Sequence, residues 1–162
     1  MKKTLIVLSS LMFLMCMSCK EKIDVAKEKE AVLKVLQEEG DAFAVNDMER
    51  LSALHIQDET STRLAGTTIY KGWSEIEKLL KGYIKVNSTD SSWVNPRNLK
   101  ENIIIKVTGN TAWVLCDNIW QYEFKNLPRK QANRQITFFE KANGEWKISF
   151  NAFVPRPAAK TE

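Results

Sequence analysis

The stretch from Arg134 to Val154, RQITFFEKANGEWKISFNAFV, constrains the fold of this chain more than any other. Two β-type runs flank Asn143-Gly144, a pair that favours a two-residue turn because both central residues take positive φ there. On the return run Trp146, Ile148, Phe150, Ala152 and Val154 alternate with Lys147, Ser149, Asn151 and Phe153. Period two places the first set on one face of a strand and the second on the other. On the outgoing run Ile136 and Phe138 share one face, and Thr137 and Phe139 share the opposite one. A lone hairpin is marginal in water, so this one demands further strands and a layer to cover its apolar face.

The preceding sequence supplies both. Ile103 to Val107, the turn Thr108-Gly109-Asn110-Thr111, and Ala112 to Phe124 read as a second long hairpin. Its long arm puts Ala112, Val114, Cys116, Asn118, Trp120 and Tyr122 on one face, and Trp113, Leu115, Asp117, Ile119 and Gln121 on the other. Both faces carry large apolar groups. A sheet with one solvated face does not need that, which predicts a partner subunit on the second face, a homodimer. Leu127-Pro128 to Asn133 reads as a basic loop between the hairpins.

Upstream the period changes to that of a helix. Ala31, Val32, Val35, Leu36 and Phe43 form one stripe, which predicts a helix from Asp24 to Val45, weakened at Gly40. Asn46 with Glu49 three residues on has the form of a capping box, opening a short second helix through Leu51, Leu54 and His55. The polar stretch Gln57 to Thr68, with Gly66 as a turn point, has room for a short strand pair. A third helix is predicted from Trp73 to about Lys85, burying Ile76, Leu79, Leu80 and Tyr83, with Ser74 and Glu77 closing its first turn. Asn87 to Ser92 reads as a loop, with strand from Leu99 onward. Three N-terminal helices before long strands make an α+β layout, helices on one face of an antiparallel sheet.

At 162 residues, 44% hydrophobic and 27% charged, the chain suits one domain with a real core. Its first residues carry an export signal: Lys2-Lys3, then an apolar run from Thr4 to Met15 too short to span a bilayer, then small residues. Cys16-Met17-Ser18-Cys19 resembles a bacterial lipobox, which implies cleavage before Cys19 and lipidation of its thiol. Residues 1–18 then form the signal peptide, 19–23 a tether, 24–154 the domain and 155–162 a flexible tail, with the protein anchored in the cell envelope on the periplasmic side or at the surface. An ordinary signal peptide cut nearby is the plainer alternative. Removing Lys2 and Lys3 takes the formal charge from +4 to +2. The remaining lysines are mixed with glutamates, the pattern of a solvated surface and not of a nucleic-acid footprint. Cys116 is left as the sole cysteine beside Cys19, and its place mid-strand suits a small buried filler.

Several segments, in this order, resemble one group. Ala42 to Leu51 is similar to the step between the first two helices of SnoaL-like proteins, members of the nuclear-transport-factor-2-like superfamily. Asp58 stands where that group often has an aspartate. Tyr70-Lys71-Gly72-Trp73 with Ile76 resembles the entry to the third helix, Val107 to Val114 its hairpin, and Gly144-Glu145-Trp146-Lys147-Ile148 its late strand. The resemblance runs from about Asp24 to Val154. It implies a cone-shaped fold, three helices packed on a curved antiparallel sheet with a pocket between, commonly dimeric through the outer sheet face. It does not hand over an activity, because the same fold serves isomerases, dehydratases and plain binding modules.

His55 and Asp58 are the candidate acid and base, a pair able to abstract and return a proton in a pocket. A helix-terminal histidine beside a helix-stopping aspartate explains the same two residues. Trp73, Trp120 and Tyr122 are candidate pocket walls, and core packing serves them equally well. Asn118 and Asn151 are polar amides within apolar or mixed strands, which need buried partners or a ligand. Where the resemblance leads one to expect histidines and a serine on the last strand, this chain has Phe150, Ala152 and Phe153. No metal cluster, phosphate loop or nucleophile motif is present, so no metal or cofactor is expected. These features point to a small, largely apolar ligand bound without chemistry. The alternatives are an isomerase, dehydratase or hydrolase built on Asp58 and His55, and an envelope protein-interaction domain.

Overall fold

The computed structural model describes residues 24–89 and 93–156. The segments expected to be an export signal with Cys16 and Cys19 and a tether (19–23) lie outside the described residues, as does all of the expected tail 155–162 but Pro155, which ends the last strand, and Arg156. Helix α1 spans Val25–Ala44, and the Asp24 carboxylate caps it by accepting from the Ala26 and Lys27 amides at 3.1 and 3.2 Å. The expected Asn46–Glu49 box does not form. Asn46 takes a left-handed φ of 58° that turns the chain sharply, and the next residue, Asp47, caps α2 (Met48–Ala53) by accepting from the Arg50 amide.

Strands β1 (Thr62–Ala65) and β2 (Thr68–Lys71) form the short pair around Gly66. Helix α3 runs Trp73–Thr89, through part of the stretch expected as a loop. Glu75, not the Ser74–Glu77 pair, closes its entry by accepting from the Lys71 amide at 3.0 Å. Four long strands follow: β3 (Val94–Thr108), β4 (Thr111–Phe124), β5 (Leu127–Ala142) and β6 (Glu145–Pro155). The stretch 127–133 expected as a basic loop is therefore strand. Lys125 and Asn126 both take positive φ, so the turn is complete before Leu127 and the hairpin pairs from Phe124↔Leu127 onward. Asn143 and Gly144, at φ 52° and 85°, make the expected tight turn of the last hairpin.

The sheet order is β2-β1-β6-β5-β4-β3. It is mixed and not wholly antiparallel, because β1 joins β6 in parallel. The helices pack on one face. Val32 and Leu36 of α1 meet Ala112, Val114, Cys116, Phe139, Trp146 and Ile148, and the burial of each large side chain contributes about 1.5–3 kcal/mol. Trp146 Nε1 also donates to Glu28 on α1 at 2.7 Å.

One bulge redirects the last strand. Phe138 pairs with Phe150 but Phe139 pairs with Ile148, so Ser149 is an extra residue and the alternation reverses beyond it. Trp146 and Ile148 face the helices as expected, whereas Phe150, Ala152 and Val154 do not continue that face. Asn151 takes their place and bonds to Glu39 on α1. Without the bulge, Asn151 would point away from the helices.

Candidate functional site

Helices α1 and α3, strand β1 and the far ends of β3 to β6 line a half-open cavity of about 570 Å³. Its walls are aromatic: Phe43, Tyr83, Trp93, Trp120 and Phe153 line it. The rings touch in sequence, Tyr83 with Phe43 at 6.4 Å, Phe43 with Trp120 at 5.7 Å and Trp120 with Trp93 at 5.5 Å between centroids. Its floor is charged, with Glu39, Arg63, Lys100 and Asn118 among the lining residues.

Glu39 is the centre of that floor. It sits on the apolar stripe of α1, between Leu36 and Phe43, and is only 5% exposed. Its Oε1 accepts from Asn151 Nδ2 at 2.6 Å and from Arg63 Nη1 at 3.4 Å, and its Oε2 accepts from Gln135 Nε2 at 3.0 Å. Burial pushes this carboxyl toward the neutral form. The positive charges of Arg63 and Lys100 with the Gln135 bond outweigh that and hold it below its ordinary value, so it is ionised at neutral pH.

From Glu39 a chain of bonds crosses the sheet. Thr137 Oγ1 donates to Asn151 Oδ1 at 3.1 Å, and Gln135 Nε2 donates to Thr137 Oγ1 at 3.0 Å. Lys100 Nζ donates to Gln135 Oε1 at 2.6 Å and to Asn118 Oδ1 at 2.8 Å. Asn98 Nδ2 also donates to Asn118 Oδ1, and Asn118 Nδ2 donates to Asn133 Oδ1. Cross-strand register makes this possible: Arg63 lies opposite Asn151, Asn151 opposite Thr137, Asn118 opposite Asn133, and Lys100 opposite Asn118. Gly40 lets the end of the chain approach α1. A Cβ there would collide with the Asn98 side-chain amide.

The sequence-predicted residues are dispersed by the fold. Asn118 and Asn151 belong to this network. Trp120 is a wall of the cavity, and Tyr122 stands behind it, its ring 4.3 Å from Trp93. Trp73 is not among the lining residues and packs at 5.3 Å on His55. His55 is buried, with Nδ1 2.8 Å from the Leu51 carbonyl oxygen, which fixes the proton on Nδ1. Its Nε2 lies 3.9 Å from Glu39 Oε1 and has no hydrogen-bond partner. Burial lowers its pKa below the ordinary value, so the ring is neutral. Asp58 is not part of this group. Its exposed carboxylate accepts from the Thr60 amide at 2.8 Å and the Thr60 hydroxyl at 2.6 Å, closing a turn, and those bonds hold its pKa low. The histidine faces Glu39 and the expected His55–Asp58 pair does not form.

Glu39, Arg63, Lys100, Gln135 and Thr137 were not singled out from the sequence. Glu39 had a readable signal, a carboxylate on an otherwise apolar helix stripe. Gln135 and Thr137 had a weaker one, polar groups alternating onto the face that Phe139 buries. Arg63 and Lys100 lie in stretches whose register only the assembled sheet defines. Among the described residues no three His, Cys, Asp or Glu side chains group closely enough to hold a metal ion. Cys116 is buried beside the floor, and burial pushes its thiol up to about 11.

No known family profile matches the sequence, and no curated protein matches it by sequence. Solved structures do match the fold. A nuclear-transport-factor-2-like protein with a cystatin-like fold from Novosphingobium aromaticivorans superposes with a TM-score of 0.68 at 14% identity, over 83% of this chain and 86% of that one. A proposed dehydratase of the same family from Streptomyces avermitilis gives 0.70 at 16% identity, over 83% and 99%. The association domain of CaMKII from C. elegans gives 0.67 at 17% identity, over 80% and 97%. At these identities the likeness concerns the fold: the chain has the nuclear-transport-factor-2-like, cystatin-like α+β fold.

Proposed function

We propose that this is an exported, lipid-anchored SnoaL-like domain that binds one small molecule in its cavity and leaves it chemically unchanged. Support for export is the order of Lys2-Lys3, the apolar run to Met15 and the Cys16–Cys19 lipobox. Support for a ligand is the cavity itself, of the size small-molecule sites have, with an aromatic wall and a few converging polar groups.

The observation that carries the absence of chemistry is the state of Glu39. A proton-transfer group needs a pKa near neutrality and a free face toward the substrate. Glu39 is held ionised, and both its oxygens already accept bonds from neighbouring side chains. His55 is neutral and is not among the cavity-lining residues. The test is native mass spectrometry of the protein purified gently from its own host. A co-purifying small molecule, recovered unaltered after incubation, is the expected result. Conversion of that molecule during incubation overturns the reading.

The alternative is an enzyme in which Glu39 and His55 act together. The buried, unpartnered Nε2 of His55, 3.9 Å from Glu39, favours it. So does the description of two structural neighbours as dehydratases. Loss of the elements of water from the captured molecule would select this reading.

A homodimer through the outer sheet face belongs to the same proposal. That face exposes Phe138 (46%) and Ile104 (55%), with Trp113, Leu115 and Phe150 beside them. Two neighbours in fold are association domains by description. Sedimentation is expected to show a dimer that Phe138→Glu converts to monomer. A monomeric wild type would overturn the dimer and turn attention to a protein of the envelope as the partner.

A further inference from the structure

The cavity floor holds more positive than negative charge. Arg63 and Lys100 are cationic, Glu39 is the one carboxylate among the lining residues, and His55 behind it is neutral. Glu39 receives Arg63 together with two amide groups. Lys100 Nζ reaches only amide oxygens, at 2.6 and 2.8 Å. An ammonium has three donors, so one is left over on a side chain that lines the cavity. Arg63 is 7% exposed, its single acceptor contact is the long one to Glu39, and its Nε is buried with no partner. The guanidinium lies over the Phe153 ring, 4.7 Å from its centroid, which fixes its plane at the cavity wall.

A buried guanidinium and a half-buried ammonium, both with unfilled donors, line one space. A buried polar or charged group without a partner is costly, and a ligand that supplies one recovers that cost on binding. A third cation of the lining, Arg156, pairs with Asp117 at 3.5 Å, so the surplus on the floor is a single charge, which fits a monoanion and not a phosphate dianion. The rest of the cavity is ring-lined by Phe43, Trp93, Trp120 and Phe153, which suits a flat unsaturated body.

We propose that the cavity selects aromatic monocarboxylates, with the carboxylate at the floor on Lys100 and Arg63 and the ring between Trp120, Trp93 and Phe153. This rests on the reading of the cavity as a small-molecule site and narrows it to one ligand class. Burial lowers the Lys100 pKa, so an anion beside it also favours the protonated amine.

The test is calorimetric titration of the full chain in detergent with 2-naphthoate and its uncharged isostere 2-naphthamide. The acid is expected to bind at least tenfold more tightly. Lys100→Met is expected to reduce that preference to under threefold, and Lys100→Arg to restore most of it. Trp120→Ala is expected to weaken both compounds alike, and melting curves check that each variant is folded. Equal binding of acid and amide, both sensitive to Trp120→Ala, overturns the anion selectivity and leaves the cavity reading standing. Binding of neither compound overturns both. Acid binding indifferent to Lys100 and to Trp120 places the ligand elsewhere on the protein and overturns the proposal as well.

Discussion

Replacing Glu39 by glutamine keeps the side chain's shape and removes its charge. Arg63 and Lys100 then stay in the protein without a carboxylate. The new amide nitrogen must also face Asn151 Nδ2 or Gln135 Nε2, one donor against another. Breaking a buried ion pair by removing one partner costs about 3–5 kcal/mol. For a domain of this size each kcal/mol lowers the melting temperature by roughly 3–5 °C, so a fall of roughly 10–25 °C is expected. The control is Glu38→Gln, one residue earlier on the same helix. Its carboxylate pairs with Arg50 in the open, with the two side chains 36% and 43% exposed, and its loss should cost less than about 1 kcal/mol. Circular dichroism melting of the three proteins measures the difference. Acid adds a second signature. The pKa of Glu39 is lowered by folding, so its stabilisation is complete above the ordinary value of 4.5 and is lost as pH falls below it. Wild type and Glu39→Gln should therefore converge on acidification. A Glu39→Gln protein that melts within 2–3 °C of wild type at pH 7, on the order of the exposed-pair effect, would refute the account of Glu39 as the carboxylate that holds the charged floor together.

Gly40→Ala should destabilise the protein by roughly 1–2 kcal/mol in urea unfolding, although alanine is the better helix former by about 1 kcal/mol, because the added methyl meets the buried Asn98 amide. A stabilised variant would show that Asn98 yields without loss. His55 is neutral in the fold with its pKa lowered by burial, so wild-type stability should fall as pH drops below 6.5, by at most about 1.4 kcal/mol per unit. His55→Phe should flatten that slope between pH 6.5 and 5 in pH-dependent melting, and an unchanged slope would refute the assignment. Cys116 should resist thiol reagents at pH 8 until the protein unfolds, since the thiol is buried and its pKa is about 11. Site-resolved mass spectrometry of the labelled protein reads this directly.

The local signals were legible wherever one residue type or one period dictates the backbone. Asn143-Gly144 specified its turn, and the stripe from Ala31 to Phe43 specified α1 to within a residue at each end. Alternation specified the helix-facing row Ala112, Val114, Cys116 and Asn118 of β4. Tertiary pairing decided the rest. Residues 127–133 are polar and contain a proline, so nothing local marks them as strand, and their conformation comes from pairing with β4. The extra residue at Ser149 is invisible to a period-two reading, yet it carries Asn151 onto the helix side and swings Val154 off the Trp146 face. The cavity floor depends on that reversal. Glu39, Arg63, Lys100 and Gln135 come from α1, β1, β3 and β5, and they meet because sheet register sets the spacing between strands. Sequence determined the Asn143-Gly144 turn and the apolar faces of α1 and β4. Only the assembled sheet decided which charges share one space, because charge proximity is a property of pairing between distant segments and not of spacing along the chain.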